Sequence, residues 1–209
     1  MQKLSRRERE KLNRRNEILQ AAWEVFASKD YDSATVDEIA EVAELSKGTV
    51  YLYFQSKADL FFSTFEIGIE KLFSIVKEVI SSSDDPVAGF KEIVKRLLNF
   101  FEENIGFFKI LSSERAHFDI HAETEDARMF RKRLTDIAFH NISIVAEYIQ
   151  RGIEMGVFRQ IDPWDVALSL LEVIRGFAFS RLTMPIEFKL SEKAESITSI
   201  LLDGIRERK

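Results

Sequence analysis

Residues 35–57, with the sequence TVDEIAEVAELSKGTVYLYFQSK, decide how the N-terminal part of this chain folds. Thr35 is suited to cap a short helix, because its hydroxyl can accept a hydrogen bond from a free backbone N–H of the first turn. Four apolar residues follow at helical spacing, namely Val36, Ile39, Ala40 and Ala43. Ser46 is suited to cap a second helix, which we predict over about residues 47–53. Two short helices joined by a tight turn predict a helix-turn-helix motif.

The second helix of such a motif enters the major groove of DNA, and its first residues meet the edges of the bases. Lys47, Gly48 and Thr49 occupy that first turn here. Lysine can reach a phosphate or a guanine edge, glycine allows a close approach, and threonine can form a hydrogen bond or touch a thymine methyl group. The predicted DNA-binding surface also includes Thr35, Ser46, Tyr51, Tyr53 and Lys57.

The pattern S-K-G-T-V-Y-x-Y-F-x-S-K-x-x-L, from Ser46 to Leu60, resembles the signature of the tetracycline-repressor (TetR) family. The preceding T-V-x-x-I-A-x-x-A of residues 35–43 fits the same family, and the resemblance covers about residues 12–62. Two glycines that are common in the family are replaced, by Asp30 after the first helix and by Glu44 in the turn. The resemblance implies a homodimer, joined through its last two helices, that presents two motifs to a palindromic operator.

The composition is that of a globular protein without a membrane segment. Of the 209 residues, 45% are hydrophobic and 31% are charged, and none is cysteine. The sequence has no run of eighteen apolar residues, which a membrane span would need. Its first residues, MQKLSRRERE, lack the apolar segment of a secretory signal. We therefore expect no disulfide framework and predict a cytoplasmic protein.

The net charge of −5 is unusual for a protein that binds DNA, so the local arrangement of charges matters more than their sum. Basic residues recur near the N-terminus, at Lys3, Arg6, Arg7, Lys11, Arg14 and Arg15. This segment is either a solvated, frayed end or an arm that touches phosphates beside the binding site. Acids lie on or beside the first helix of the motif, at Asp37, Glu38, Glu41 and Glu44. Because acids oppose binding to phosphates, we expect Glu38 and Glu41 to point away from the DNA.

The remainder of the chain alternates helical patterns with breaks and contains no convincing strand. One helix is predicted before the motif, over about residues 7–28. After the motif, helices are predicted over about residues 57–79, 86–103, 107–115, 125–155, 162–184 and 191–207. The predicted caps are Ser56, Asp85, Asp162 and Ser191. The predicted fold is all-α, with about nine helices in a DNA-binding domain of residues 1–56 and a larger domain of residues 57–209 for ligand binding and dimerisation.

Phenylalanine is concentrated in the larger predicted domain, where sixteen of the eighteen Phe residues lie after residue 57. For each ring, ordinary core packing is the simpler interpretation, but together the rings permit an apolar cavity for a small ligand. The predicted lining residues are Phe65, Phe101, Phe107, Phe108, Phe139 and Phe177. Arg175 and His140 lie in apolar helix sequence and are candidate partners for a ligand head group. The alternative for Arg175 is an ion pair with Glu172, one turn earlier.

No pattern in the sequence indicates an enzyme. The chain lacks a cysteine nucleophile, a G-x-S-x-G motif and a glycine-rich phosphate loop. Residue types that bind metals occur together in one loop, at His117, Asp119, His121, Glu123 and Asp126. Their spacing matches none of the common metal motifs, so a solvated loop is the better interpretation. We therefore predict no catalytic site, no metal and no cofactor.

The last two predicted helices are apolar over wide faces. The apolar residues are Leu168, Leu171, Ile174 and Phe177 on one helix and Ile197, Ile200, Leu201 and Ile205 on the other. One side of each helix should close the core, so the other side predicts contact with a second copy. With the resemblance, these features predict a dimeric transcriptional repressor that a small hydrophobic or amphipathic effector releases from DNA. The alternative is a dimeric DNA-binding regulator without an effector, governed by its concentration or by a protein partner.

Overall fold

A computed structural model describes residues 5–29, 31–107, 109, 125–184 and 188–205 of the chain. These residues include eight α-helices with both ends described, one short 3-10 turn and a helical segment at residues 105–107, and they contain no β-strand. The helices are α1 (Arg6–Ser28), α2 (Val36–Val42), α3 (Lys47–Tyr51), α4 (Lys57–Ser82), α5 (Pro86–Glu103), α6 (Glu125–Glu154), α7 (Pro163–Thr183) and α8 (Ala194–Ile205). The predicted all-α class is confirmed. None of these helices combines the length and apolarity that crossing a membrane requires.

The chain divides into two compact units. Of the described residues, the first unit holds those within Met1–Gly68 and Lys109–Arg131, and the second holds those within Ile69–Phe108 and Lys132–Lys209. Helices α4 and α6 each contribute residues to both units. The functional boundary that the sequence places after residue 56 stays a prediction.

Helices α2 and α3 of the first unit begin at the caps that the sequence predicts. Thr35 Oγ1 accepts a hydrogen bond of 3.2 Å from the N–H of Glu38, and Ser46 Oγ accepts one of 3.1 Å from the N–H of Thr49. Between the two helices Glu44 has a φ of 56°. A side chain in this left-handed region costs roughly 1–2 kcal/mol, so the turn carries strain at the position where the sequence resemblance implies glycine.

An apolar core joins α1 to the beginning of α4. The buried residues of α1 are Ile18, Leu19, Ala21, Ala22, Val25 and Phe26. The ring of Phe61, on α4, contacts Phe26 and Tyr31 with centroid distances of 5.0 and 5.1 Å. Because Tyr31 belongs to the loop that precedes α2, these rings fix both the loop and the start of α4 against α1.

In the second unit, α5 packs against α7 and α8. Its buried face is formed by Phe90, Ile93, Val94, Leu97, Leu98 and Phe101. The end of α8 is held by a backbone hydrogen bond of 2.8 Å, from the N–H of Arg159 to the carbonyl oxygen of Ile205. The last helix is therefore part of this core and not an appendage.

Tyr148, on α6, lies against the first turn of α5. Its hydroxyl donates a buried hydrogen bond of 2.7 Å to the carbonyl oxygen of Pro86. A Cβ at Gly89 would lie only 2.3 Å from that hydroxyl oxygen, so this contact requires glycine. Burial raises the pKa of Tyr148 to about 12, which keeps the hydroxyl protonated as a donor.

Two helix ends differ from those that the sequence pattern predicts. Helix α3 ends at Tyr51 and not near Tyr53, because the N–H of Tyr53 bonds the carbonyl oxygen of Val50 at 3.0 Å and tightens the chain. Helix α4 continues to Ser82 and therefore passes the predicted end at residue 79. Most of the helix predicted over residues 107–115 lies outside the described residues.

The predicted cap of the last helix is wrong. Ser191 lies within a 3-10 turn, Leu190–Lys193, and α8 begins only at Ala194. The backbone N–H of Ser191 donates a hydrogen bond of 3.0 Å to the carboxylate of Glu102 on α5. A contact distant in sequence therefore satisfies the N–H group and shifts the start of the helix.

Candidate nucleic-acid interface

The first turn of α3 presents the residues that the motif predicts. Ser46 Oγ lies 2.8 Å from Thr49 Oγ1, so the two hydroxyls are oriented together. Lys47 and Gly48 are exposed. The nearest described atom to a Cβ at Gly48 would be Ser46 Oγ at 3.8 Å, so packing among the described residues does not require glycine there. The close approach of another molecule remains a physical reason for glycine at this position.

The ammonium group of Lys47 is paired with Asp37, in the first turn of α2, at 2.7 Å. The two side chains are 50% and 65% exposed, so the pair lies at the surface beside α3. The hydrogen bond to Asp37 raises the pKa of Lys47, which keeps the ammonium charged. The sequence pattern identified Asp37 as an acid that opposes DNA binding, but it did not indicate this partner.

The ammonium group of Lys57 is held by the loop that precedes α2. Its Nζ lies 4.4 Å from the centroid of the Tyr31 ring and 3.3 Å from the carbonyl oxygen of Asp32. Partial burial lowers the pKa of Lys57, and the charges of Asp32 and Glu38 oppose this shift. A cation over an aromatic face is oriented by it, so Lys57 is placed in advance for its predicted phosphate contact.

Glu38 is occupied within the protein. Its carboxylate accepts a hydrogen bond of 3.1 Å from the N–H of Thr35 and also pairs with Lys29. These two contacts, with that to Lys29 the larger, lower the pKa of Glu38. Thr35 keeps an exposed position, but its hydroxyl serves the cap of α2.

The end of α3 adds one candidate contact that the sequence pattern did not select. Tyr51 is 45% exposed and Tyr53 is half-buried, whereas Leu52 is 80% exposed. Leu52 lies four residues after Gly48 and therefore on the same side of the helix. An apolar contact with a thymine methyl group is available to it. The helical spacing from Gly48 was the signal that would have found it.

The basic N-terminal segment is helical from Arg6 onward. Ser5 and Glu8 form a capping box that begins α1, and no side chain of residues 5–17 is buried. From residue 6 onward, the basic segment therefore forms the exposed first turns of the helix that the sequence predicts over about residues 7–28, and its contact with phosphates stays a prediction.

A basic stripe, defined as Arg7, Lys11 and Arg14, runs along these turns. The spacing of four and three residues places the three side chains on the face of α1 that later buries Ile18. The neighbouring Arg15 guanidinium lies 5.1 Å from the centroid of the Phe54 ring, just after α3. This contact fixes the rotation of α1, so the stripe continues the side of the helix that packs against the motif.

Three of the predicted cavity residues are buried. Phe65 is in the first unit, and Phe101 and Phe107 are in the second. The rings of Phe101 and Phe107 are nearly parallel with centroids 6.4 Å apart, and each also contacts Phe100 at 5.8 Å. Phe108 lies outside the described residues. Ring-on-ring packing accounts for these contacts, and the cavity stays a prediction.

The remaining aromatic candidates lie nearer the surface. Phe139 is 63% exposed, and the centroid of its ring lies 5.1 Å from that of Trp164 on α7. The neighbouring His140 is exposed and Phe177 is half-buried. The described residues therefore do not enclose Phe139 or His140. Their predicted contact with a ligand would need additional protein surface to cover the ligand.

The charged candidate on α7 has a partner on its own helix. Arg175 donates a hydrogen bond to Glu172, one turn earlier, as the spacing of the two residues predicts. A role for Arg175 in binding a head group stays a prediction. The predicted loop with His117 and His121 lies outside the described residues. In the part of the chain that is described, no group of three or more His, Asp or Glu side chains could hold a metal ion.

Apolar side chains remain exposed on the last two helices. Leu168 and Phe179 of α7 are 42% and 51% exposed, and Ile200 of α8 is 71% exposed. Leu168, Arg175 and Phe179 follow each other at spacings of seven and four, so they share one face of α7. Ile174, Ile197 and Ile205 are buried. The wide apolar surfaces seen in the sequence therefore separate into a core side and an outward side.

The comparison with protein families finds one matching model. The model described as "Bacterial regulatory proteins, tetR family" matches residues 18–64. This span begins at the first buried residue of α1 and includes α2, α3 and the start of α4. It coincides with the stretch that carries the resemblance in the sequence.

Individual proteins resemble a larger part of the chain. The chain is 30% identical over 169 residues to the nucleoid occlusion factor SlmA of Aliivibrio fischeri, with 79% of this chain and 82% of SlmA covered. A Clostridium perfringens protein described as a fatty acid metabolism regulator has a TM-score of 0.71 and 27% identity, with coverage of 92% and 100%. FadR from Bacillus subtilis, solved with stearoyl-CoA, has a TM-score of 0.76 and 19% identity, with coverage of 91% and 98%.

Proposed function

Because the chain belongs to the tetR family of bacterial regulatory proteins, we propose that it is a homodimeric repressor released from a palindromic operator by a small hydrophobic or amphipathic molecule. The observation that carries the DNA-binding part is the exposed first turn of α3. Lys47 and Gly48 are exposed there, and no contact with another described residue requires glycine at position 48. In this proposal Lys47 and Thr49 meet base edges in the major groove.

The remaining contacts of the proposed interface go to phosphates. They come from Thr35, Ser46, Tyr51, Tyr53 and Lys57, all within or beside α2 and α3. The basic stripe of α1 extends the contact to DNA that flanks the half-site. A helix rises 1.5 Å per residue, so the stripe from Arg7 to Arg14 spans roughly 10 Å, the length of about three base pairs.

The outward side of α7 and α8 supports the proposed dimer. Leu168, Phe179 and Ile200 are large apolar side chains with exposed area that burial against a second copy would remove from water. A two-fold axis between the copies would place two α3 helices in successive major grooves. An operator with two half-sites one helical turn apart is therefore the expected target.

The proposed effector binds in the second unit and has an apolar body and a polar head. Phe101, Phe107, Phe139 and Phe177 are the described candidates for the apolar wall, and Arg175 or His140 for the head group. An anionic head would compete with Glu172 for the Arg175 guanidinium. Likeness to a fatty acid metabolism regulator and to FadR bound to stearoyl-CoA makes acyl-CoA thioesters the first class to test.

Release from DNA requires that the effector prefers one of two conformations. An effector that binds the released state more tightly lowers operator affinity by the same coupling free energy, typically about 1–3 kcal/mol. Helix α4 begins directly after the motif and contributes residues to both units, so it is the proposed carrier of the change.

The second candidate function is a DNA-binding dimer without a small effector. Likeness to the nucleoid occlusion factor SlmA favours it, since the match covers most of both chains. The exposure of Phe139 and His140 also favours it, because an apolar ligand needs an enclosed wall.

The DNA-binding proposal is tested by selecting duplexes from a random pool and measuring affinity across salt concentrations. We expect Lys57→Ala to weaken binding to every duplex and to flatten the log–log salt slope by about 0.9, the effect of one phosphate contact. Lys47→Ala should also change the selected sequence, because it removes a base contact. Lys77→Ala removes an exposed charge from the second unit and serves as the control. If Lys47→Ala, Tyr51→Ala and Lys57→Ala all bind as the parent does, the assignment is wrong.

The effector proposal is tested with stearoyl-CoA, shorter acyl-CoA thioesters and free coenzyme A. A thioester should raise the melting temperature and release the selected operator, whereas free coenzyme A should do neither. If no acyl chain length changes melting or operator binding, the candidate without a small effector is favoured.

A further inference from the structure

The pair formed by Lys47 and Asp37 joins the two helices of the motif at the surface that faces DNA in the proposed function. Lys47 is the first residue of α3, and Asp37 is the second residue of α2. Their charged atoms are 2.7 Å apart, and both side chains are at least half exposed. The lysine assigned to base edges is therefore already bound by an acid before DNA arrives.

The other acids of α2 have different surroundings. Glu38 is bound to Lys29 and to the N–H of Thr35, so its charge is balanced within the first unit. Glu41 lies one turn later on α2 with an exposed side chain. Asp37 is thus the α2 acid that the structure connects to the recognition helix.

We propose that Asp37 is a specificity-determining residue, which lowers affinity for non-operator DNA by holding Lys47. This inference rests on the proposed function, since it concerns the same interface. In the proposed function Asp37 contacts Lys47, which meets the base edges. The role of Asp37 is to weaken the binding of non-operator DNA.

The effect differs between the two classes of DNA. On non-operator DNA a Lys47 released from Asp37 would gain only a phosphate contact, whose benefit is mainly the release of a counterion. That gain is offset by the loss of the Asp37 pair, so in the parent Lys47 stays bound to Asp37. On the operator, Lys47 can bond both acceptors of a guanine edge, which discriminates strongly between bases. Asp37 therefore lowers affinity for non-operator DNA more than affinity for the operator. Weakening the binding of the wrong partner in this way increases specificity.

The test compares Asp37→Asn with the parent dimer on the selected operator and on a scrambled duplex of equal length. We expect non-operator affinity to rise about two- to fivefold, the range for an exposed charge pair, with a smaller change on the operator. The salt slope on the scrambled duplex should become steeper by about 0.9, because Lys47 becomes free to bind a phosphate. The ratio of operator to non-operator affinity falls in consequence.

Two controls separate this role from a general effect of charge. Glu41→Gln makes the same charge change on the same helix away from the pair, and it should raise non-operator affinity less. In a Lys47→Ala background, Asp37→Asn should have no more effect than Glu41→Gln, because the pair is already absent. Asp37→Ser also removes the charge, and serine is tolerated at the start of a helix. If Asp37→Asn lowers the melting temperature, Asp37→Ser should show the same change in non-operator affinity.

The proposal is overturned if Asp37→Asn and Glu41→Gln change the affinity ratio equally, or if the effect of Asp37→Asn persists in the Lys47→Ala background. Failure of the proposed function has a different signature. In that case the parent protein itself selects no sequence and binds the two duplexes alike.

Discussion

The two units differ in the chemistry of exposed side chains that packing within the unit does not account for. In the first unit, the exposed beginning of α3 is polar, with Lys47 and Gly48 open to solvent and Asp37 beside them. In the second unit, apolar side chains stay at the surface after the core is complete, chiefly Ile200 and Phe179. Polar groups on a short helix suit base edges and phosphates, whereas exposed apolar area suits another protein surface or a ligand.

This difference shows where function can be sought in a helical chain. Residues that the fold requires, such as Val50 in α3 or Ile197 in α8, are buried and tell little about partners. Residues that the fold does not require carry the information. At the start of α3 they are polar, whereas on α7 and α8 they include the apolar Leu168, Phe179 and Ile200. Substitutions that separate the two groups therefore test the comparison.

The largest effect is expected from a charge on the outward side of α8. Ile200→Glu places a carboxylate where the proposed partner copy would bury apolar area, so the dimer should dissociate. Loss of linkage between two half-site contacts lowers operator affinity by roughly 100-fold or more. Sedimentation and operator titration measure the two consequences.

Ser199→Glu is the matched control, because Ser199 is exposed on the same helix and offers no apolar area. It should remain a dimer. If Ile200→Glu sediments as the parent does, the dimer does not use this side of α8, and the proposed function of the apolar surface in the second unit is wrong.

The next effect concerns a contact that the fold of the second unit does require. Gly89→Ala would place a Cβ 2.3 Å from the hydroxyl oxygen of Tyr148, and overpacking of this kind costs about 1–3 kcal/mol. Chemical denaturation should show this loss of unfolding free energy. Adding Tyr148→Phe removes the clashing oxygen, so the double variant should recover part of the loss. No recovery would mean that the strain lies elsewhere.

Some features of the fold follow from local sequence signals, and others depend on residues far away in the sequence. Asp85 and Asp162, each followed by proline, located the starts of α5 and α7, because a cap and an N1 proline are local signals. Ser191 was a local signal of the same kind, but the distant carboxylate of Glu102 decided the outcome. The close contact at Gly89 also comes from a residue far away in the sequence, so no local pattern could have shown it.

A smaller effect is expected in the turn between α2 and α3. Glu44→Gly should raise the free energy of unfolding by up to about 1 kcal/mol, because glycine adopts a φ of 56° without the cost of a side chain. Glu41→Gly is the control, since glycine within α2 should lower stability by roughly 0.5–1 kcal/mol. Equal destabilisation by both would show that the turn is not strained at Glu44.

The smallest change in stability is expected at Gly48, where a small gain in unfolding free energy should accompany a loss of operator affinity. Alanine fits the space there and favours a helix, so Gly48→Ala should gain less than about 1 kcal/mol in unfolding free energy. Operator affinity should fall, because the added methyl group would meet the DNA backbone or bases. Unchanged affinity would show that DNA does not approach closely at this position.

The proposed DNA contacts were easier to select than the proposed ligand contacts. Ser46, Lys47 and Thr49 follow from a cap and a short spacing, and the structure brings their backbone and side chains together in one turn. Phe139 and Phe107 are equivalent in the sequence, yet one is 63% exposed and the other fully buried. Only tertiary packing distinguishes these two rings of the same type.

The contact between Gly89 and Tyr148 has a consequence for evolution. A substitution at either position alone is unfavourable, since a larger residue at 89 collides with the tyrosine and a smaller one at 148 removes the hydroxyl that donates to the Pro86 carbonyl. The two positions should therefore change together among related sequences. An alignment should show a larger residue at position 89 together with a residue without a hydroxyl at position 148. Such a paired change would help to align α5 and α6 in distant relatives.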